Sequence, residues 1–244
     1  MTGYRLRALV VRKTKLGETD LILTLLADDG RQVRAVAKGA RKPGSRLSAR
    51  LEPGCVADLL LHPGRNLEVV SEAESVAAHA GLRDDYDRSC AASIVLDLAD
   101  KVSVEAQAED VLFPLCVTAL DVLASAETAD VRLVTVAFLI KAMAMQGYRP
   151  QLDSCVQCAS DSVAGGFSLA AGGVLCAECG ELDAASFPLS QEGRHLVGAL
   201  MQARLAEVPS LAPEPEVAAE VTRLVRAFVA HHVPARLKSL EFLG

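Results

Sequence analysis

Hydrophobic and polar positions alternate with a period of two through most of the first 80 residues, and with a helical period after about residue 85. Leu6, Ala8 and Val10 alternate with Arg5, Arg7 and Leu9, and Leu21 to Leu26 is a short, nearly continuous apolar run of the kind that forms a buried strand. Asp28-Asp29-Gly30 is a turn, after which Val33, Ala35 and Ala37 alternate with Gln32, Arg34 and Lys38. Gly39 to Gly54 holds enough Gly, Pro and Ser to be mostly loop. Val56 to His62 predicts a fourth strand, and Pro63-Gly64-Arg65-Asn66 a turn. Beyond it Leu67, Val69, Ser71 and Ala73 alternate with Glu68, Val70, Glu72 and Glu74 in a fifth strand. Five strands with no helix of normal length predict a small antiparallel barrel, either an OB-fold or an SH3-like barrel.

Helical spacing begins with Ala91, Ile94, Val95, Leu98, Ala99 and Val102 and continues through Val111 to Leu123 and Val131 to Gln146. The last segment is apolar on nearly every side and predicts a helix central to a bundle. Arg132 and Lys141 interrupt it, and it is too short for the roughly 20 apolar residues that span a bilayer. Gly147-Tyr148-Arg149-Pro150 stops it. Residues 151–189 carry no long periodic segment. Helical spacing returns at Glu192 to Ala206 and, after a Pro-rich pause at 209–215, at Val217 to Val229.

Charge sharpens the division. Lys and Arg number 13 against 9 Asp and Glu through residue 80, and 12 against 22 after it, inside a net charge of -6. A basic module joined to an acidic remainder is compatible with one polyanion-binding face. Met1 to Glu18 is cationic without an apolar core, so it reads as no secretory signal, and a cytoplasmic location is expected.

In a reducing compartment, close cysteine pairs point to metal or redox chemistry and not to disulfides. Cys155-x2-Cys158 and Cys176-x2-Cys179 are 17 residues apart, with Gly165-Gly166 and Gly172-Gly173 between them to let the chain fold back. Two such turns supply four thiolates in a tetrahedron, so the expected cofactor is one structural Zn2+. Neither pair stands at a strand-to-helix junction of a βαβ unit, which disfavours a thioredoxin-like role. Cys55, Cys90 and Cys116 lie in apolar patterns and read as small core residues.

Lys38, Arg41, Lys42, Arg46 and Arg50 fall in 13 residues without an acid, in a stretch that Gly39, Pro43, Gly44 and Ser45 keep open. Cations so placed can follow a phosphate backbone. Arg34 shares a strand face with Lys38 and extends the patch, and Arg12, Lys13 and Lys15 are a candidate second edge. Tyr4 is the single aromatic before residue 80, so backbone electrostatics and not base stacking would dominate there. No Walker A, G-x-G-x-x-G, H-E-x-x-H or deaminase motif is present, and His62, His79, His195, His231 and His232 have no acid or nucleophile at a telling spacing. The chain therefore reads as no enzyme.

These features, in this order, resemble the bacterial RecO family: the barrel pattern, Lys38-Gly39-Ala40-Arg41-Lys42 followed by Ser45, the junction Gly147-Tyr148-Arg149-Pro150-x-Leu152-x2-Cys155-x2-Cys158, and Arg236-Leu237-Lys238-Ser239. The resemblance implies an α+β multidomain chain. Residues 1–80 would be a nucleic-acid-binding OB-fold, 81–149 and 190–244 two parts of a helical domain, and 150–189 an inserted four-cysteine zinc finger. It also implies a DNA-repair mediator that binds single- and double-stranded DNA and anneals complementary strands. With RecR it would load RecA onto DNA coated by single-strand-binding protein, touching the acidic C-terminal tail of that protein. No membrane contact is expected. An adaptor that uses its zinc module to hold a partner protein, with incidental DNA contact, is the alternative.

Overall fold

The computed structural model of the chain describes residues 3–104 and 111–243, and it divides into two compact units, Met1–Ser125 and Ala126–Gly244. The expected helical part at 81–149 includes residues 105–110, which lie outside the described residues.

The first unit is built on five strands: β1 (Tyr4–Leu16), β2 (Asp20–Ala27), β3 (Gln32–Ala37), β4 (Val56–His62) and β5 (Glu68–Ala77). They close in the order β1-β2-β3-β5-β4, with β4 returning to β1. Every pairing is antiparallel except β3 with β5, which run parallel. This order, with one parallel seam, is the Greek-key barrel of an OB-fold, and it resolves the choice that strand count left open. Long β1 makes closure possible, since Ala8 pairs with Ala27 on one side and Ala57 on the other.

The barrel interior is filled by Leu6, Val10, Leu23, Leu25, Leu59 and Leu61, with Ala8, Ala35, Ala37 and Ala57 where strands come close. Leu9 and Leu26 are fully buried yet lie outside this interior cluster, because α1 (Tyr86–Val102) packs over β1 and β2. Strands covered on both faces explain the nearly continuous apolar run at Leu21 to Leu26 and the burial of Thr24 within it. One expected strand face is corrected. Leu67, Val69, Ser71 and Ala73 do not line one face, because the register slips between Leu60 and Leu61, which pair with Glu72 and Val70 and leave Ser71 as an extra residue. That bulge reverses the alternation, so Val70 and Ala73 both point inward.

Asp85 caps α1 by accepting the Arg88 amide at 2.9 Å. At the other end of the helix, the Gln32 side chain donates to the Asp100 carbonyl and the Ser103 hydroxyl, 3.2 and 3.0 Å away. α2 (Leu112–Ser125) supplies Asp121 to His79, whose Nε2 lies 3.0 Å from the carboxylate while Nδ1 meets the Gly54 carbonyl at 2.6 Å. The acid that His79 lacked in sequence therefore arrives from 42 positions away. Both ring nitrogens are occupied, and the residue acts as a pin.

In the second unit, α3 (Thr128–Met145) is the central helix, buried at Val134, Val136, Ala137, Phe138 and Leu139, and packed by α5 (Gln191–Gln202) and α6 (Pro215–His232). Lys141 is tolerated there because its ammonium donates to the Met201 carbonyl at 2.8 Å, near the end of α5. Between α3 and α5, the short strands β6 (Phe167–Ser168) and β7 (Gly173–Val174) and the six-residue α4 (Ala177–Leu182) make the cysteine-bearing segment. The helix expected over 192–206 ends at Gln202, a 3-10 helix at Leu205–Leu211 runs into the Pro-rich pause, and another 3-10 helix lies at Lys238–Leu243. No helix among the described residues is long and apolar enough to cross a membrane.

Candidate metal centre and nucleic-acid interface

The two cysteine pairs form facing turns. In the first, the Ala159 amide donates to the Cys155 carbonyl at 2.8 Å, and Ala159 takes φ 60 to complete the turn. In the second, at the start of α4, the Gly180 amide donates to the Cys176 carbonyl at 2.8 Å and the Cys179 amide reaches the Cys176 sulfur at 3.5 Å. Backbone hydrogen bonds between Val156 and Val174 and between Gly165 and Leu175 hold the turns together. Gly165 has no freedom to be larger, since a Cβ there would collide with the Cys176 carbonyl.

All four sulfurs lie within 4.8 Å of one another, and Cys158 and Cys176 are 3.7 Å apart. Four thiolates around a tetrahedral ion with bonds near 2.3 Å would stand about 3.8 Å apart. Burial pushes the Cys155 thiol up, but amides of Cys176, Cys158 and Gln157 outweigh it and bring the group down to about 6. The hydrogen bond to Cys176, and then burial, push Cys179 up to about 12. One sulfur is thus stabilised as a thiolate while a neighbour holds a proton that a bound cation would displace. The four cysteines, as expected, come together and can hold a metal ion.

The six candidate cations all lie on the first unit and all are exposed. Arg34 is on the outer face of β3, and Lys38 follows that strand. The loop beyond is tied to the β1–β2 hairpin. Asp20 accepts the Gly39 amide at 2.8 Å, the Arg41 amide donates to the Thr19 carbonyl at 2.8 Å, and the Arg41 guanidinium donates to the carbonyls of Gly17 and Glu18 at 3.1 and 2.9 Å. The Gly39 amide, then the Thr19 hydroxyl, hold the Asp20 carboxyl below its ordinary value. Arg50 donates to the Ala73 carbonyl at 2.8 Å. Arg41 and Arg50 therefore use part of their donors on the fold, whereas Lys38, Lys42 and Arg46 are exposed, and the two lysines also favour the charged form of Asp20. Of the suggested second edge, Arg12 pairs with Asp100 at 3.4 Å and Lys13 with Glu52. Asp20, the acid that tethers a basic loop, had no signal in sequence.

Residues 1–79 match the family Recombination protein O N terminal, and residues 83–241 match Recombination protein O C terminal. The chain belongs to the RecO family. A DNA repair protein RecO from a Nocardioides species is 37% identical over 246 residues, covering 98% of each chain. This family member has an N-terminal barrel, a helical C-terminal region and four clustered cysteines that can hold a metal ion, and its function is DNA repair by recombination.

Proposed function

We propose that the chain is a non-enzymatic DNA-binding mediator of recombination that works in the cytoplasm. It binds single- and double-stranded DNA, anneals complementary strands and, with RecR, helps load RecA onto DNA coated by single-strand-binding protein, whose acidic C-terminal tail it contacts. The observation that carries this reading is the acid-free run from Lys38 to Arg50, exposed on the barrel and braced by Asp20 and Arg41. Two complementary strands repel each other. A braced cationic face lowers that cost and leaves the bases unread and free to pair. Arg34, Lys38, Arg41, Lys42, Arg46 and Arg50 are its contact residues.

Cys155, Cys158, Cys176 and Cys179 hold one Zn2+ in this reading, and the sulfur spacing and all-thiolate donor set support that ion. Four protein ligands fill the tetrahedron and make the site structural.

The test is Lys38→Ala/Lys42→Ala/Arg46→Ala, which leaves the Arg41 and Arg50 anchors in place. Single-strand affinity should fall, and the slope of log affinity against log salt should drop by about 2, at roughly 0.7 for each phosphate no longer neutralised. Unchanged affinity and slope would refute the assignment. Annealing measured with and without ATP should be the same.

A further inference from the structure

The Gly147-Tyr148-Arg149-Pro150 junction, the most distinctive sequence motif, has no part in the barrel interface or the metal centre. Tyr148 is 41% exposed, and its ring lies on the His232 ring with centroids 4.5 Å apart and planes tilted by 32°. His232 is fixed from two other directions. Its Nε2 donates to the Leu169 carbonyl at 2.8 Å, and buried Phe228 meets it edge-on at 4.5 Å. Burial also lowers the His232 pKa, which favours the neutral ring. The outer face of Tyr148 is therefore a flat aromatic surface on a rigid backing. The chain enters it through Gly147 at φ +87, where the left-handed turn swings the aromatic residue off the end of α3.

The next residues line a cavity of about 510 Å3 in the same unit, walled by Arg149, Pro150, Leu152, Arg194, His195 and Met201. The Arg194 guanidinium is steered by one bond to the Leu152 carbonyl at 3.2 Å, which leaves other donors of the fork for a ligand. Asp153 is the one acid on the wall. An exposed aromatic residue followed directly in the chain by Arg149, which shares a cavity wall with Arg194, brings together the residue types that bind a single-stranded nucleotide, a base on the ring and a phosphate on the cations. The barrel lacks such a face, because Tyr4 is its single aromatic and is half-buried.

We propose that this junction is a second single-strand contact, with a base stacked on Tyr148 and an adjacent phosphate held by Arg149 and Arg194. The inference deepens the DNA-binding reading and rests on it. The footprint is short, about one or two nucleotides, because residues 150–189 contain five acids and no Lys or Arg. It adds to the first unit's electrostatic grip a contact that feels whether a base is unpaired, since a base inside a duplex offers no free face.

The experiment uses the full zinc-loaded chain and a short deoxythymidine oligonucleotide carrying one 2-aminopurine, whose fluorescence falls when it stacks. Tyr148→Ala should abolish the stacking-dependent quench and weaken single-strand binding about tenfold, within the range for one stacked base, while duplex affinity stays the same. Tyr148→Phe should restore both, since the stacking face and not the hydroxyl makes the contact. Arg149→Ala should lower the salt slope by about 0.7 and leave the quench. The barrel variant Lys38→Ala/Lys42→Ala/Arg46→Ala should keep the quench at saturating oligonucleotide, so failure at the barrel and failure at the junction read out separately. Unchanged quenching and affinity in Tyr148→Ala overturn the proposal. So does an acidic peptide with an apolar end that binds wild-type protein, fails to bind Arg149→Ala, and leaves the oligonucleotide signal untouched, for the cavity is then a peptide site.

Discussion

Replacing Phe167 by Ala should destabilise the second unit by about 3–5 kcal/mol, the cost of removing a buried aromatic ring and leaving a cavity. Phe167 is 1% exposed and joins the cysteine-bearing segment to the helices, with its ring edge-on to Phe228 at a centroid distance of 5.7 Å and an interplanar angle of 86°. Its backbone is held independently. The Phe167 amide donates to the Phe187 carbonyl at 2.8 Å and the Phe187 amide donates back at 2.7 Å, so the strand stays in place when the ring is cut away. Phe228→Ala should cost a similar amount, and also strips the edge contact from His232. Because the rings touch each other, the double variant should be destabilised by about 0.5–1.5 kcal/mol less than the sum of the two singles. Urea unfolding of each variant, followed by circular dichroism at fixed zinc, gives the three differences. A change under about 1 kcal/mol for Phe167→Ala, or strict additivity, would show that the segment is not seated on α6 through these rings.

Purified protein should contain one zinc per chain, and Cys155→Ser/Cys158→Ser should abolish it by elemental analysis and leave residues 150–189 open to protease. His79→Ala should destabilise the first unit by about 1–3 kcal/mol in a thermal melt, because the buried Gly54 carbonyl loses its donor; no change would remove the pinning role. The Asp20 carboxyl should titrate below 3.8 by NMR, since the Gly39 amide and then the Thr19 hydroxyl favour its charged form. A lowered folded pKa means that its contribution to stability is present above the unfolded value and is lost as pH falls through the folded one, so protection of the Gly39 amide should fade at a lower pH than that at which an unfolded aspartate titrates. Burial pushes the Cys116 thiol up to about 12, and this residue should resist iodoacetamide at mildly alkaline pH in folded protein and react fully once unfolded.

The metal cluster was legible because its chemistry is local. Two residues between cysteines make a turn, and 17 between the turns leave room to return, whatever surrounds them. The strands were legible for the same reason, whereas their order was not. The parallel seam between β3 and β5 pairs Ala35 with Glu68, far along the chain, and nothing in either strand's alternation declares its neighbour. The reversal at Ser71 was hidden because a bulge is a property of the pair β4–β5 and not of β5. In the basic loop, charge and openness could be read directly. The division of labour could not, since an Arg that grips two carbonyls of a distant hairpin looks the same in sequence as one that faces solvent. His79 met its acid only when α2 came alongside.

The closure of the barrel on β1 also has a consequence in time. Tyr4–Leu16 is made first, but the strand that covers its second edge, Val56–His62, follows much later in the chain. At about 5–20 residues per second, that gap is ~3–10 s of synthesis in which β1 can pair with β2 alone and shows a bare, largely apolar edge. Arg5 and Arg7, in the Tyr4–Leu9 stretch that β4 later covers, keep the nascent edge charged until its partner arrives. Two of the cations that make residues 1–80 basic are thus gatekeepers against aggregation while the barrel is still unfinished on the ribosome.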